Sequence, residues 1–454
     1  MKLIYQVEDK PKFGELVVFA IQQLLAIMAA TLVVPVIVGN GMEPAAALFG
    51  AGVGTLVYVF FTKKKSPVFL GSSFAFLGSM AAAFAGASSV AVGYFGLILG
   101  AIFAGLVYAI IALIVSLVGV DWIDKLMPSV VIGPTVAIIG LSLAGNAVGD
   151  IVTGGVKDAE GAAVASPFAA LICGLVTLGV TMACSVYGKK FGKLIPFIFG
   201  ILAGYAVAAV LTAIGSATGT SSIMLLSTEP YKALVADGVG VSTFLTIPTF
   251  TFLTAFGAFS EGISGSYILT ILAAYVPVAF VVFAEHIADH KNISSIIEKD
   301  LLKDPGLHRT LLGDGIGSMV GAFFGGCPNT TYGESIGCVA ITKNASVATI
   351  MAAAIGAILI AFVAPFVAFV NSIPSCVMGG VCMALYGFIA VSGLKMVQAV
   401  DLNKNKNLFV VSVILIAGIG GLTLNFGSVT ITSIACALIL GILTNIMLKN
   451  GPEE

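Results

Sequence analysis

The sequence predicts an all-α polytopic membrane protein, and three features carry that prediction. The chain is 59% hydrophobic and only 9% charged, whereas soluble domains carry about 25% charged residues. Its mean hydropathy is +1.10, and a folded core without lipid could not bury that much apolar surface. Apolar segments of about 20 residues, the length that crosses a bilayer, recur along the whole chain.

The charge balance and the cysteines exclude several other classes of protein. The net charge of -1 gives no electrostatic attraction to a polyanion, so we expect no nucleic-acid partner. The seven cysteines are scattered without a CxxC pair, and most lie in apolar segments as small hydrophobic side chains. No metal and no other cofactor is expected.

Apolar segments separated by polar breaks give roughly 14 predicted spans. The clear segments lie near 14–39, 44–62, 88–119, 128–148, 167–187, 194–214, 267–289, 346–371, 407–423 and 427–448. The weaker segments are interrupted by Gly, Pro, Ser, Thr or Asn and lie near 67–86, 309–326, 328–342 and 374–395.

The distribution of basic residues supports this count. When the N-terminus is placed in the cytoplasm, alternation through the spans puts all of the 21 Lys and Arg residues on the cytoplasmic side except Lys157 and Lys232. Cytoplasmic loops of membrane proteins carry this excess of Lys and Arg. We therefore predict a multi-pass protein of the cytoplasmic membrane with both termini in the cytoplasm.

Two of the weaker segments occupy matching places in the chain. Residues 66–80, SPVFLGSSFAFLGSM, and residues 326–342, GCPNTTYGESIGCVAIT, belong to the third and tenth segments, the same place in two halves of seven. Because seven is odd, the halves would have opposite topology. Interrupted segments at matching places indicate a transporter's binding site. The alternative is two irregular helices whose Ser and Thr residues only pack.

Four acids of the second half lie inside apolar segments: Glu285, Asp289, Asp314 and Glu334. A charge at mid-bilayer costs roughly 2.5–3.5 kcal/mol, so such residues are functional candidates. A helix from Tyr267 to Asp300 would be about 51 Å long, which places Glu285 near the middle of a hydrocarbon core of about 30 Å. If the helix ended at Asp289, these acids would instead be interfacial.

Spacing divides the sequence FAEHIADHKN between two helix faces. Glu285 and Asp289 share one stripe, and His286 and His290 share another, with His290 toward the cytoplasm. A zinc-protease helix needs Glu directly after its first His, which is absent here. Asp314 in LLGDGIGSM is interpreted as a helix cap or packing residue rather than a substrate contact.

Two carboxylates from different spans suit a small, flat, uncharged polar ligand. Carboxylates accept hydrogen bonds from ring N–H groups, and when protonated they also donate. Glu285 and Glu334 are the candidates for this role. An acid that takes up a proton before or with the ligand would couple transport to protons.

Motifs from the first to the twelfth span together resemble the nucleobase–ascorbate transporter family. They are IQQLLAIMAATLVVP (21–35), PVFLGSSFAF (67–76), AEHIADH (284–290), KDLLKDPGLHRTLLGDG (299–315), FFGGCPNTTYGESIG (323–337) and VMGGVCMALYG (377–387). The resemblance implies 14 spans in two inverted repeats, with a short strand in spans 3 and 10. It implies a core domain of residues 1–125 and 247–371 and a gate domain of residues 126–246 and 372–454.

The resemblance also implies roles for individual residues. The implied substrate-binding residues are Glu285, Glu334, Gly333, Tyr332, Phe74, Ala30 and Tyr386. The implied proton-coupling candidates are Asp289, Glu285 and His290, and the implied supporting residues are Asp314, Gln22 and Asn329. The family moves nucleobases inward with protons, and a homodimer is compatible with it.

The chain departs from the family pattern at two places. Asp289 stands where uracil carriers often have His, which resembles the purine branch, whereas Glu334 resembles the uracil branch. Gln22 and Gln23 stand where the family usually has Gln and His. We expect a proton-coupled uracil importer and not an enzyme. The alternatives are a xanthine or uric acid carrier, an anion exchanger or channel of similar architecture, and an intramembrane hydrolase.

Overall fold

The computed structural model describes residues 3–120, 122, 128–156, 163–189, 191–236, 238–426 and 429–448. The chain is an all-α polytopic membrane protein. Within these described ranges, 8 helices are long and apolar enough to cross a membrane, and shorter apolar helices accompany them. Large apolar side chains are exposed on the outer surface, for example Leu117 at 76% and Leu359 at 63%, as expected for a surface that faces lipid.

The first half of the chain contains nine of the helices used below. They are α1 (Phe13–Val38), α2 (Pro44–Phe61), α3 (Leu77–Ala85), α4 (Val90–Val118), α5 (Ser129–Ser142), α6 (Ala144–Ile151), α7 (Pro167–Tyr187), α8 (Phe191–Leu194) and α9 (Pro196–Thr218). Strand β1 (Leu70–Ser72) lies between α2 and α3 and is followed by a 3-10 turn at Phe74–Phe76.

Four short helices link the halves, and the longest of the described helices opens the second half. The linking helices are α10 (Glu229–Leu234), α11 (Val241–Phe244), α12 (Thr251–Ala255) and α13 (Ala258–Glu261). The helices that follow are α14 (Gly265–Ile297), α15 (Leu307–Gly325), α16 (Gly333–Thr342), α17 (Val347–Ile360), α18 (Ala364–Ser372), α19 (Ser375–Gln398), α20 (Asn405–Ile419) and α21 (Ser433–Met447). The strands are β2 (Asn329–Thr331), β3 (Leu424–Phe426) and β4 (Val429–Ile431).

Strands β1 and β2 pair with each other in the antiparallel sense. Leu70 lies opposite Thr331, and Ser72 lies opposite Asn329. The ladder continues outward through the Ser73 N–H, which donates to the Pro328 carbonyl at 2.9 Å. Non-helical backbone inside a membrane is stable only when its polar groups find partners. The two interrupted segments therefore supply hydrogen-bond partners for each other's backbone groups.

Glycines bring α2 and α15 into direct contact around Asn329. Gly50 and Gly54 lie one turn apart on α2, and Gly317 and Gly321 lie one turn apart on α15. A Cβ atom on Gly54 would be 2.5 Å from Asn329 Nδ2 and 2.6 Å from the Gly317 carbonyl oxygen. The Asn329 amide donates to the Gly50 carbonyl at 3.3 Å. Small residues permit this approach, and the slot between them fixes the start of β2.

The helices pack in two groups. In the first, α15 packs on α2 and α4, α14 packs on α4, and α17 packs on α1 and α2. In the second, α19 packs on α5, α6 and α7, α7 packs on α9, and α20 packs on α5 and α21. The boundary predicted after residue 125 lies outside the described residues.

Several helix boundaries differ from the predicted spans. The expected segment 128–148 is two helices that meet at Leu143, and 346–371 is interrupted between Ile360 and Ala364. The last segment is helical only from Ser433, after the hairpin of β3 and β4. The prediction of one long helix through the acidic stretch is confirmed, since α14 continues to Ile297.

Candidate functional site

A cavity of about 350 Å³ brings residues of α14 and α16 together with residues of α9 and α19. Its volume lies within the range of about 300–1,000 Å³ that is usual for small-molecule sites. The acids Glu285, Asp289 and Glu334 all line it. Much of the remaining lining is apolar and includes Phe197 and Leu385. A few polar groups in a mainly apolar pocket are typical of a binding site.

The long helix α14 positions two of the acids. Glu285, Ala288 and Asp289 line the cavity at the i, i+3 and i+4 spacing that puts side chains on one face of a helix. Glu285 and Asp289 are both half-buried. The stripe predicted from the spacing is therefore the part of α14 that faces the cavity.

A threonine of β2 holds one of these acids. Thr331 Oγ1 donates a hydrogen bond to Asp289 Oδ2 at 2.7 Å, and Thr331 itself is 1% exposed. A hydrogen bond to a carboxylate contributes about 1.5–3 kcal/mol. The strand thus fixes the rotamer of Asp289 on a different element of the chain.

The first turn of α16 supplies the third acid together with backbone N–H groups that have no carbonyl partner within the helix. Gly333 and Glu334 are its first residues, and both line the cavity. The first intrahelical hydrogen bond runs from the Ile336 N–H to the Tyr332 carbonyl at 3.2 Å. The N–H groups of Gly333 and Glu334 therefore have no carbonyl partner within the helix. Gly333 is exposed and has open space where a Cβ would lie.

Four other predicted site residues lie behind the cavity wall. Tyr332 is 3% exposed, and its hydroxyl donates to the Ser72 carbonyl at 2.7 Å. Phe74 and Tyr386 meet edge to face, with ring centroids 5.8 Å apart. Ala30 is 1% exposed, one helical turn from Ala26, which does line the cavity. None of the four contributes to the cavity wall that the described residues form.

The two histidines of α14 face away from the cavity into a buried polar network. His286 Nδ1 lies 2.7 Å from Asp314 Oδ2, and its Nε2 lies 2.9 Å from Thr310 Oγ1. His290 Nδ1 donates to the His286 carbonyl at 2.8 Å, and its Nε2 lies 2.7 Å from the Tyr58 hydroxyl. Both imidazoles are 0% exposed, so His290 does not approach solvent as its position in the sequence suggested.

The cap interpretation of Asp314 is wrong. Asp314 lies in the third turn of α15, whose N-cap is Gly306, and it is 0% exposed. Its carboxylate instead links α15 to His286 of α14. The packing interpretation of this residue agrees with its position, because the contact joins two buried helices.

The glutamine pair of α1 supports the start of α16. Gln23 Nε2 donates to Ser335 Oγ, which also accepts the Phe69 N–H at 3.0 Å. Gln22 is half-buried, and its Oε1 has no hydrogen-bond partner among the described residues. Gln23 thus ties α1, β1 and α16 together, whereas Gln22 was the residue predicted for a supporting role.

Several residues in and around the site were not predicted from the sequence. Thr331 and Ser335 lie inside the quoted NTTYGES motif, and the strand alternation there could have indicated Thr331. Tyr58 lies in an apolar segment that offers no local indication of its polar partner. Lys193 also lines the cavity, in the short helix α8 between two predicted spans.

Known structures of anion transporters share this fold. The transmembrane domain of a cyanobacterial bicarbonate transporter, BicA, matches 97% of this chain and 100% of that chain, with a TM-score of 0.57 and 13% identity. The structure of SLC26A9 matches 97% of this chain and 66% of that chain, with a TM-score of 0.61 and 11% identity. At these identities the likeness concerns the fold alone.

Sequence relatives are much more similar. The uracil permease of Bacillus caldolyticus is 37% identical over 455 residues, which is 100% of this chain and 96% of the relative. That of Bacillus subtilis (strain 168) is 37% identical over 456 residues, 99% of this chain and 96% of the relative. A sequence model described as "Permease family" matches residues 14–426. The chain therefore belongs to this permease family, that of the nucleobase–ascorbate transporters, whose members are transporters rather than enzymes.

Proposed function

We propose that the protein is a proton-coupled symporter that imports uracil across the cytoplasmic membrane. The observation that carries the proposal is the cavity in which Glu285, Asp289 and Glu334 meet the first turn of α16. The names of the relatives, uracil permeases at 37% identity over the whole chain, support the choice of substrate.

The chemistry of the cavity is complementary to a pyrimidine base. Uracil presents two ring N–H donors and two carbonyl acceptors in one plane. The carboxylates of Glu285 and Glu334 can accept the N–H donors, and the backbone N–H groups of Gly333 and Glu334 can donate to a carbonyl. The apolar lining, which includes Phe197 and Leu385, suits the faces of the ring.

We propose that Asp289 or Glu285 carries the coupled proton. Three acids in one cavity repel each other when all are charged, which favours uptake of a proton by one of them. Asp289 is fixed by Thr331 and is thereby positioned to exchange a proton beside the substrate. An imported base and proton would then leave on the cytoplasmic side together.

We propose that the chain has 14 spans in two inverted repeats. These spans form a core and a gate domain that move against each other in alternating access. The core would comprise residues 1–125 and 247–371, and the gate residues 126–246 and 372–454. The three acids lie on helices of the core, whereas Phe197 and Leu385 lie on helices of the gate. Movement of the core along the gate would carry the base past the edge-to-face contact between Phe74 and Tyr386. Both termini would be cytoplasmic.

The remaining candidates have weaker support. A xanthine or uric acid carrier is favoured only by Asp289, which stands where uracil carriers often have His. The fold shared with a bicarbonate transporter and SLC26A9 makes anion transport a further candidate function. Three acids in the cavity oppose an anionic substrate, since a negative ligand would meet like charges.

Uptake into proteoliposomes tests the proposal. Purified protein would be reconstituted, and entry of labelled uracil, xanthine and uric acid would be measured with and without an inward proton gradient. We expect uracil uptake that the gradient accelerates. Preference for a purine would establish the alternative substrate, and uracil uptake indifferent to the gradient would refute proton coupling.

A further inference from the structure

A second cavity, of about 560 Å³, lies where the N-terminal segment meets the end of α2 and the start of α17. It shares no lining residue with the cavity that Glu285, Asp289 and Glu334 line. Its charged lining consists of Glu8, Asp9, Lys10, Lys63, Lys64 and Lys65. The rest of its lining is apolar. The cavity therefore offers both charged and apolar groups, which is what an amphiphilic ligand requires.

The N-terminal segment forms one wall of this cavity. The Ala345 N–H donates to the Tyr5 carbonyl at 2.9 Å, and the Val347 N–H donates to the Val7 carbonyl at 3.1 Å. These bonds hold the segment along the start of α17. The wall is therefore a fixed part of the fold.

A strained turn presents two lysines to the cavity. Lys63 and Lys64 follow α2 with φ values of 53° and 59°, a left-handed backbone that costs about 1–2 kcal/mol per residue outside glycine. Their N–H groups donate to the Phe60 and Val59 carbonyls at 3.1 and 3.0 Å. Strained backbone of this kind is found at functional sites. Here both lysines of the turn line the cavity.

The acids of the cavity are already engaged. Glu8 lies 3.7 Å from the ammonium group of Lys299, which is outside the cavity. The Asp9 carboxylate accepts the Gln6 N–H at 2.6 Å. A backbone N–H leaves the negative charge of Asp9 in place, so the surplus of positive charge comes from the lining itself, in which four lysines face two acids.

The lysines are only partly engaged. Lys65 pairs with Asp304 at 2.6 Å. Lys10, Lys63 and Lys64 are exposed, and none of them forms an ion pair with another residue that the structure describes. The cavity therefore has a surplus of positive charge that an external anion can neutralise.

An apolar stripe leads from the cavity along α17. Ala348, Ala352 and Ile355 line the cavity at helical spacing, and Leu359 continues the same face one turn further. Ile355 is 46% exposed and Leu359 is 63% exposed. In a multi-pass membrane protein such a surface faces acyl chains. The stripe therefore connects the positive cavity to the bilayer.

We propose that this cavity binds an anionic phospholipid, with its phosphate at Lys63 and Lys64 and an acyl chain along the stripe of α17. Basic pockets at the ends of membrane helices recognise anionic headgroups in this way. A soluble phosphate would use the lysines but not the stripe, and the apolar lining favours the lipid. The site is separate from the proposed transport function and does not depend on it.

Native mass spectrometry of the purified full chain tests the site. The probes are phosphatidylglycerol and phosphatidylcholine with identical acyl chains, with glycerol 3-phosphate as the soluble competitor. The variant Lys63→Gln/Lys64→Gln removes two charges from the cavity. The matched control Lys189→Gln/Lys395→Gln removes two exposed charges outside it. A further variant, Ile355→Gln, interrupts the stripe and leaves the lysines in place.

We expect phosphatidylglycerol to bind the unmodified protein and the control equally. Binding should be weaker by at least about tenfold in Lys63→Gln/Lys64→Gln and also weaker in Ile355→Gln. Equal binding of the two lipids, or equal loss in the cavity variant and the control, would overturn the proposal. Displacement of the lipid by glycerol 3-phosphate at equal concentration would show an anion site that ignores the acyl chain, and would also overturn it.

Discussion

The slot that holds Asn329 makes a specific prediction about Gly321→Ala. The three atoms nearest to an added Cβ all belong to the Asn329 amide, and the farthest of them, Oδ1, lies at 2.7 Å. Ordinary contact begins at 3.4 Å, so the amide must retreat by about 1 Å or α15 must shift. Either movement breaks the hydrogen bond from Asn329 to the Gly50 carbonyl.

The expected cost follows from these contacts. Overpacking costs about 1–3 kcal/mol, and the lost hydrogen bond adds about 1 kcal/mol. The helix propensity of alanine returns about 1 kcal/mol, so Gly321→Ala should lower the free energy of unfolding by about 1–3 kcal/mol. Truncation of the amide in Asn329→Ala removes the clashing atoms. The double variant should therefore be more stable than the sum of the two single effects by about 1 kcal/mol or more.

Equilibrium unfolding of the purified protein in mixed detergent micelles measures each variant. The control is Gly78→Ala, because no atom lies within 4 Å of a Cβ at Gly78. Its effect should add to that of Asn329→Ala within about 0.5 kcal/mol. Equal stability of Gly321→Ala and Gly78→Ala would contradict overpacking in the slot. Strict additivity of Gly321→Ala and Asn329→Ala would contradict it as well.

Two further substitutions test contacts of α14, one at the cavity and one behind it. Thr331→Val removes the hydroxyl that donates to Asp289 and should lower uracil uptake about tenfold. The control Thr330→Val should have little effect on uptake, because the Thr330 hydroxyl has no partner among the described residues. Equal uptake by both variants would contradict the role of Thr331. His286→Leu leaves the buried Asp314 carboxylate without its imidazole partner and should lower the free energy of unfolding by about 3–5 kcal/mol. An unchanged free energy of unfolding would show that the pair contributes nothing to stability.

The long helix and its acidic stripe could be predicted because both depend on local pattern. Hydrophobic residues without a stop signal continue through Glu285 and Asp289 to the end of α14, and i, i+4 spacing alone places these acids together. The interrupted segments were also visible, since Gly, Pro and Thr replace helix formers at both places. These features need only a few neighbouring residues.

The remaining features depend on contacts between distant parts of the chain. Asp314 was interpreted as a cap because capping is the common use of such an acid, and its actual partner, His286, lies on another helix. The contact between Phe74 and Tyr386 joins residues that no sequence pattern relates. One missed boundary was readable: Pro365 is in the first turn of α18, and proline at that position starts helices.

Binding of labelled uracil to purified Glu285→Gln and Glu334→Gln tests the central claim most directly. Each substitution preserves size and removes the charge that strengthens a hydrogen bond to a ring N–H. The control is Glu261→Gln, an exposed acid outside the cavity. We predict at least about tenfold weaker uracil binding in both cavity variants and unchanged binding in the control. Uracil binding at full affinity in both cavity variants would contradict the account.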